Sequence, residues 1–245
     1  MPRQPMAWWG SDVASTAIDR SQRVAARVAG ALFLLLMVCG VFGEFSGRGG
    51  LIADNDPAKT ATAILNHLLL FRVGIVSDLV AFTGDIGIAV ALYVVLRPVA
   101  RNLALLAAFW RVAEAAVLGV ITLNSLTMLS LLTDARYAAV FSRQQIQSLV
   151  WLFNDTHDAG YNIGLIFLSL GCVVFSWLFL KSRYTPRLLA GFGLLSYAVM
   201  LAGTMVTIVW PTNPVGVNFD TPAGLYEMVV GLWLLLRGIK EPRSS

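Results

Sequence analysis

Arg111 and Glu114 are the only charged residues between Leu103 and Leu132, and they stand one helical turn apart in a stretch long enough to cross a bilayer. A charge at the bilayer centre costs about 2.5–3.5 kcal/mol on insertion scales, so such side chains face other protein or trapped water. Other apolar segments carry acids as well. Asp78 and Asp85 are seven residues apart and share one helix face, and Glu227 lies one to two turns into the last apolar segment. Asp155, His157, Asp158, Tyr161 and Asn162 place carboxylate, imidazole, phenol and amide groups within two turns of a fourth. Glu44 closes the first apolar segment and Arg72 opens the second, which puts both at the expected mouth of a polar centre. Asp78, Asp85, Glu114, Asp155, Asp158 and Glu227 face only Arg111 and the marginal Arg72. Bound protons or a shared cation would relieve that surplus, and both are the chemistry of a binding or transport site.

Asp155, His157 and Asp158 combine carboxylate and imidazole, a set that suits zinc, manganese or iron. Their local spacing is poor, because His157 points away from Asp155 on a helix and His67 is the only other histidine. A His157–Tyr161 hydrogen bond at i, i+4 fits the spacing better. Gly160-x-x-x-Gly164 allows close approach of a second helix beside these polar turns. No P-loop, Rossmann glycine pattern, HExxH or GxSxG occurs, so no cofactor is implied.

These side chains need a frame, and the composition says which kind. Hydrophobic residues make up 57% of the 245, against 13% charged, and mean hydropathy is +0.72. A soluble domain carries about 25% charged residues, so the expectation is an all-α, polytopic membrane bundle with the lipid bilayer as its surroundings. Cys39 and Cys172 lie inside apolar segments, which argues against a disulfide framework. The net charge of +4 sits at segment ends, where it encodes orientation rather than nucleic-acid binding.

Six spans are expected: Val24–Phe45, Phe71–Leu96, Leu103–Leu132, Leu149–Leu180, Leu188–Trp210 and Ala223–Ile239. They form one domain over 24–240, after a polar leader (1–23) and before a short tail (241–245). Pro98, Thr185-Pro186 and Thr221-Pro222 punctuate them. Twelve of the 18 Lys and Arg residues fall on the side of the N-terminus and five on the other, which favours both termini in the cytoplasm of an inner (plasma) membrane protein. On the outer side, Asp56-Pro57 opens an amphipathic helix, with a bend expected before Phe71. Ser142 and Gln145 form a capping box from which the fourth helix starts. Asn218 and Asp220 read as solvated turn residues.

The order of these segments resembles a bacterial membrane family catalogued as domain of unknown function 4386. The resemblance rests on RVAGALFLLLMVCGVFGEF from Arg27, LFRVGIVSDLV from Leu70, ALYVVLRPV from Ala91 and LALLAAFWRVAEA from Leu103. It continues in WLFNDTHDAGYNIGLIFLSLG from Trp151, SRYTPRLLAGFG from Ser182 and EMVVGLWLLLRGIK from Glu227, and so covers nearly all of Arg27–Lys240. It implies a six-helix bacterial membrane protein and no established activity. From the residues, the leading expectation is an acidic intramembrane cavity, open to the outer side, that binds or transports a small polar or cationic ligand or a proton. A structural or partner-binding membrane subunit is the alternative, followed by a metal-assisted enzyme acting on a lipid-like substrate. A homo-oligomer or a membrane partner stays open.

Overall fold

The computed structural model describes residues 18–53, 55–210 and 220–241, and all regular structure among them is helical. Most of the leader, the end of the tail and Asn218 lie outside the described residues. The α-helices are α1 (Arg20–Val41), α2 (Pro57–Asn66), α3 (Leu68–Thr133), α4 (Ala135–Ala138), α5 (Arg143–Ser182), α6 (Arg187–Val209) and α7 (Thr221–Leu236). Four segments are long and apolar enough to cross a membrane: Arg20–Leu51, α3, α5 and α6. Helix α7 is apolar but shorter.

Local chemistry sets the boundaries. Asp19 and Gln22 form a reciprocal capping box, so α1 starts at Arg20, a turn before its apolar run. The buried Gln22 side chain also donates to the Val95 carbonyl (3.0 Å) and pins this helix start to α3. Beyond Val41 the ladder widens into a π-helical turn, Phe42–Ser46, then a 3₁₀ turn, Gly49–Leu51. Helix α2 opens as expected, with Asp56 capping the Lys59 amide (2.9 Å) and Pro57 in the first turn. It buries Thr60, Ala61 and Ile64 on one face. His67 (φ −131°, ψ 42°) supplies the bend before α3. The Ser142–Gln145 capping box opens α5.

Helix α3 covers the expected spans Phe71–Leu96 and Leu103–Leu132, with helical geometry filling most of the gap between them. Helical geometry carries through Pro98 and breaks at Ala100 (φ −161°, ψ 94°). The 66-residue helix would be about 99 Å long if straight. Asp85 and Arg111, 26 residues apart, form an ion pair, whereas a straight helix would hold them about 39 Å apart. The chain therefore folds back at Ala100 into two antiparallel limbs. The last helix differs, running Thr221–Leu236 rather than Ala223–Ile239. Gly238 ends it with a positive φ of 66°, its amide bonded to the Trp233 carbonyl (3.1 Å).

The helices close a ring: α3 packs on α5, α5 on α6, α6 on α7, α7 on α1 and α1 back on α3. The α1–α7 crossing is tight because Gly30 and Gly231 bring the two backbones together; a Cβ on Gly30 would lie 2.7 Å from the Gly231 carbonyl oxygen. At one end, the Arg20 end, sit the start of α1, the Ala100 break, the α5–α6 turn and the segment after α7. A Lys240 amide bond to the Tyr184 carbonyl (3.0 Å) and an Arg23–Glu241 ion pair join these pieces. The other end, the Glu44 end, holds the π turn, α2, α4 and the start of α7. A large apolar core built on Phe33, Leu92, Phe175, Phe179 and Leu234 fills the Arg20 half, and a smaller one around Ile64, Phe71 and Met128 packs α2 against α3 and α5.

Candidate functional site

Folding α3 back on itself brings Asp85 of its first limb against Arg111 of its second. Arg111 also contacts Glu114 one turn along, Nη1 to Oε2 at 2.7 Å. The side chains of Arg111, Glu114 and Asp85 are 2%, 3% and 17% exposed. The Arg111–Glu114 contact is misaligned for a hydrogen bond and holds by charge, and the Arg111 Nε has no acceptor among the described residues. Gly171 of α5 lies against the Arg111 stem, where a Cβ would meet Cγ at 3.1 Å. The guanidinium is thus placed by a helix fold-back on one side and a glycine on the other.

Above this triad lies a cavity of about 390 Å³, opening at the Glu44 end. Asp85, Arg111, Glu114 and Glu227 supply its buried charge, Tyr161 reaches its wall, and Glu44 and Asp220 stand at its mouth. The rest of the wall is apolar, including Phe33, Leu36, Met37, Ile88, Leu118, Leu165 and Met200. Glu227 enters from α7 and accepts a hydrogen bond from the Tyr197 hydroxyl of α6 (2.7 Å). It makes no ion pair among the described residues. Two carboxyl groups therefore share one guanidinium and a third, Glu227, faces the same chamber, whose described lining offers no further cation.

Asp78 does not join Asp85 despite sharing its face. It pairs instead with Arg48 (Nε–Oδ2 3.1 Å), which also holds Glu44 through Nη2 (2.8 Å). Arg48 is 8% exposed and Glu44 61%. This second triad is fitted closely: Gly43 lies against the Asp78 carboxylate, and Gly47 and Gly74 bring the π turn and α3 into backbone contact. Arg72, expected at the mouth, is instead exposed, forms no ion pair among the described residues and does not line the cavity. The arginine that pairs with the mouth residue Glu44 is Arg48. The i, i+4 spacing of Glu44 and Arg48 was the available signal, and loop placement obscured it. Tyr197 had a weaker signal, a mid-helix phenol whose hydroxyl needs a partner when buried.

The polar turns of α5 divide around the helix. His157 is buried against the second limb of α3, with Nδ1 at 3.2 Å from the Ile121 carbonyl oxygen and 3.5 Å from Ser125 Oγ. It does not bond Tyr161, because burial turns the ring toward α3 while the phenol faces the cavity. Asp155 is exposed. Asp158 accepts from Asn154 (3.1 Å), and Asn162 donates to the Asp158 backbone carbonyl (3.0 Å). Among the described residues no three His, Cys, Asp or Glu side chains are grouped to hold a metal ion. The metal set Asp155, His157 and Asp158 is thus spread around its helix instead of converging. Gly160 and Gly164 do allow close approach, toward Ile121 and Leu118 side chains of α3.

No curated protein and no solved structure matches the chain significantly. A family model described as a domain of unknown function (DUF4386) matches residues 28–238, nearly the whole helical ring. With most of its length covered by that match, this membrane-type helical chain belongs to the DUF4386 family.

Proposed function

We propose that the chain crosses an inner (plasma) membrane six times, through α1, the two limbs of α3, α5, α6 and α7, with both termini cytoplasmic. The concentration of Lys and Arg at the Arg20 end supports that orientation. Trp151 and Trp210 then mark the outer interface, and Trp177 and Trp233 the inner one. Limbs of about 32 residues exceed the roughly 20 needed to span, so α3 and α5 stand proud of the hydrocarbon at the Glu44 end.

The cavity in this reading binds, and in a transport cycle carries, a small organic cation from the outer side. One observation carries it: Glu227 is a cavity carboxyl without an ion-pair partner among the described residues, beside two others that already share Arg111. An ammonium group placed near Glu227 would gain a charge-assisted hydrogen bond, while the apolar walls would receive its hydrocarbon. Arg111 holds Asp85 and Glu114 while the chamber is empty. A proton on Glu227 is the competing occupant of the same site, which makes binding depend on pH.

The Arg111 triad taken alone supports a second reading, a structural or partner-binding subunit, because buried ion pairs can serve packing specificity. Titration of the purified protein in mild detergent with butylammonium and tetraethylammonium separates the two. Saturable binding, weakened about tenfold or more by Glu227→Gln at unchanged thermal stability, supports the ligand site. Equal behaviour of wild type and Glu227→Gln toward both probes removes it in favour of the structural role.

A further inference from the structure

A furrow of about 790 Å³ runs along the outside of the ring between α1 and the first limb of α3, separate from the acidic cavity. Val24, Val28 and Val90 line it, and Ala25 and Gly87 leave its floor low between them. Its only polar lining is at one end, where Arg20 and Ser21 begin α1. From Arg20 to Leu32, the last α1 residue on its wall, is about 18 Å along the helix. That is close to the depth of one leaflet, half of a roughly 30 Å hydrocarbon core. An apolar trough of leaflet depth with a cation at its interfacial end has the shape and polarity of a single lipid.

The charge around that end selects which lipid. Arg20 and Arg97 make no ion pair among the described residues, whereas Arg23 is held by Glu241 and Asp19 is engaged by Ser21 and its helix cap. Basic clefts between transmembrane helices suit phosphate headgroups, and each Lys or Arg near the surface adds about 1 kcal/mol toward anionic lipid, roughly a fivefold preference. A second copy of the chain docked by twofold symmetry would bring its own Arg20 to the same cationic rim, which disfavours it. We propose that this furrow is a binding site for one anionic glycerophospholipid, an acyl chain lying between α1 and α3 and the phosphate against Arg20.

Native mass spectrometry of the delipidated full chain, titrated with phosphatidylglycerol or with phosphatidylcholine, tests this directly. The expected result is a one-to-one phosphatidylglycerol adduct, preferred over phosphatidylcholine by about fivefold. Arg20→Gln should reduce that preference toward parity, Arg20→Lys should keep most of it, and Val90→Trp, which fills the furrow from the lipid side, should weaken both lipids. Equal retention of the two lipids by wild type, or an Arg20→Gln variant indistinguishable from it, would mean ordinary annular lipid and overturn the site. A dimer whose formation excludes lipid would overturn it as well.

Discussion

Two arginines in this molecule are each held by two carboxylates, and the two arrangements differ in everything else. Arg48, at the Glu44 end, binds Glu44 and Asp78 where one partner reaches solvent and glycines 43, 47 and 74 remove the space around them. Arg111, deep in the ring, binds Asp85 and Glu114 at the base of a chamber of about 390 Å³ with a third carboxyl, Glu227, close by. The first triad has one of its two acids open to solvent and is filled with its own backbone. The second has surplus acid and room. Composition alone would call them equivalent; the free volume and the unmatched carboxyl make one a fastening and the other a site.

Substitutions can break this contrast. Arg111→Leu should cost the most, about 3–5 kcal/mol, because it leaves Asp85 and Glu114 buried without their cation. Thermal denaturation in detergent would show it, and a wild-type melting temperature would mean that water already solvates the inner triad. Arg48→Met should cost less, about 1–3 kcal/mol, since Glu44 can turn to solvent and only Asp78 is stranded. If Arg48→Met proved as damaging as Arg111→Leu, the distinction by exposure would collapse.

The third comparison sharpens function. Tyr197→Phe removes the one hydrogen bond Glu227 receives and should cost about 1 kcal/mol, while leaving the carboxyl available to an ammonium ion. Glu227→Gln should be nearly neutral for stability and still weaken cation binding about tenfold or more, measured by the same titrations. A ligand affinity that follows Tyr197 rather than Glu227 would shift the anchor to the phenol.

The smallest effect is expected outside the ring. Asp134 caps α4 and pairs with Arg136 (2.6 Å), and these hydrogen bonds hold its carboxyl down at about 2 from an ordinary 3.8. Its contribution is therefore fully present above about pH 4 and is lost as pH falls through about 2. Amide exchange of α4 should quicken over that window in wild type, with no such step in Asp134→Asn. A step of equal size in both would assign the acid sensitivity to another group.

Much of the frame was legible because local signals and membrane dimensions agreed. Asp56-Pro57 and Ser142-x-x-Gln145 marked helix starts that appear where their caps require, and the bend before Phe71 followed from a helix too long for the bilayer. The break at Ala100 falls inside the expected gap between Leu96 and Leu103, while helical geometry persists through Pro98, which loses its own amide bond yet tolerates a helix that turns just beyond. The site was read as one convergence of acids. Asp85, Arg111, Glu114, Tyr161 and Glu227 do converge, but Asp78 is captured by Arg48 and the α5 turns split between the cavity, the α3 interface and the surface. Periodicity says which residues share a face, whereas the partner on the opposing helix depends on a tertiary register that a single chain's pattern does not carry.

The fold-back at Ala100 has a consequence for how the chain enters a membrane. In the six-span reading, Asp85 and Arg111 lie on consecutive limbs at similar distances from the break, so both would leave the insertion machinery as parts of one helical hairpin. Inserted singly, the first limb would carry the Asp85 charge at a central penalty of about 2.5–3.5 kcal/mol, and the second would hold Arg111 paired only with Glu114. As a hairpin they would enter with Asp85 already paired to Arg111, so that reading ties the order of biogenesis to the distance between the two charges along the chain.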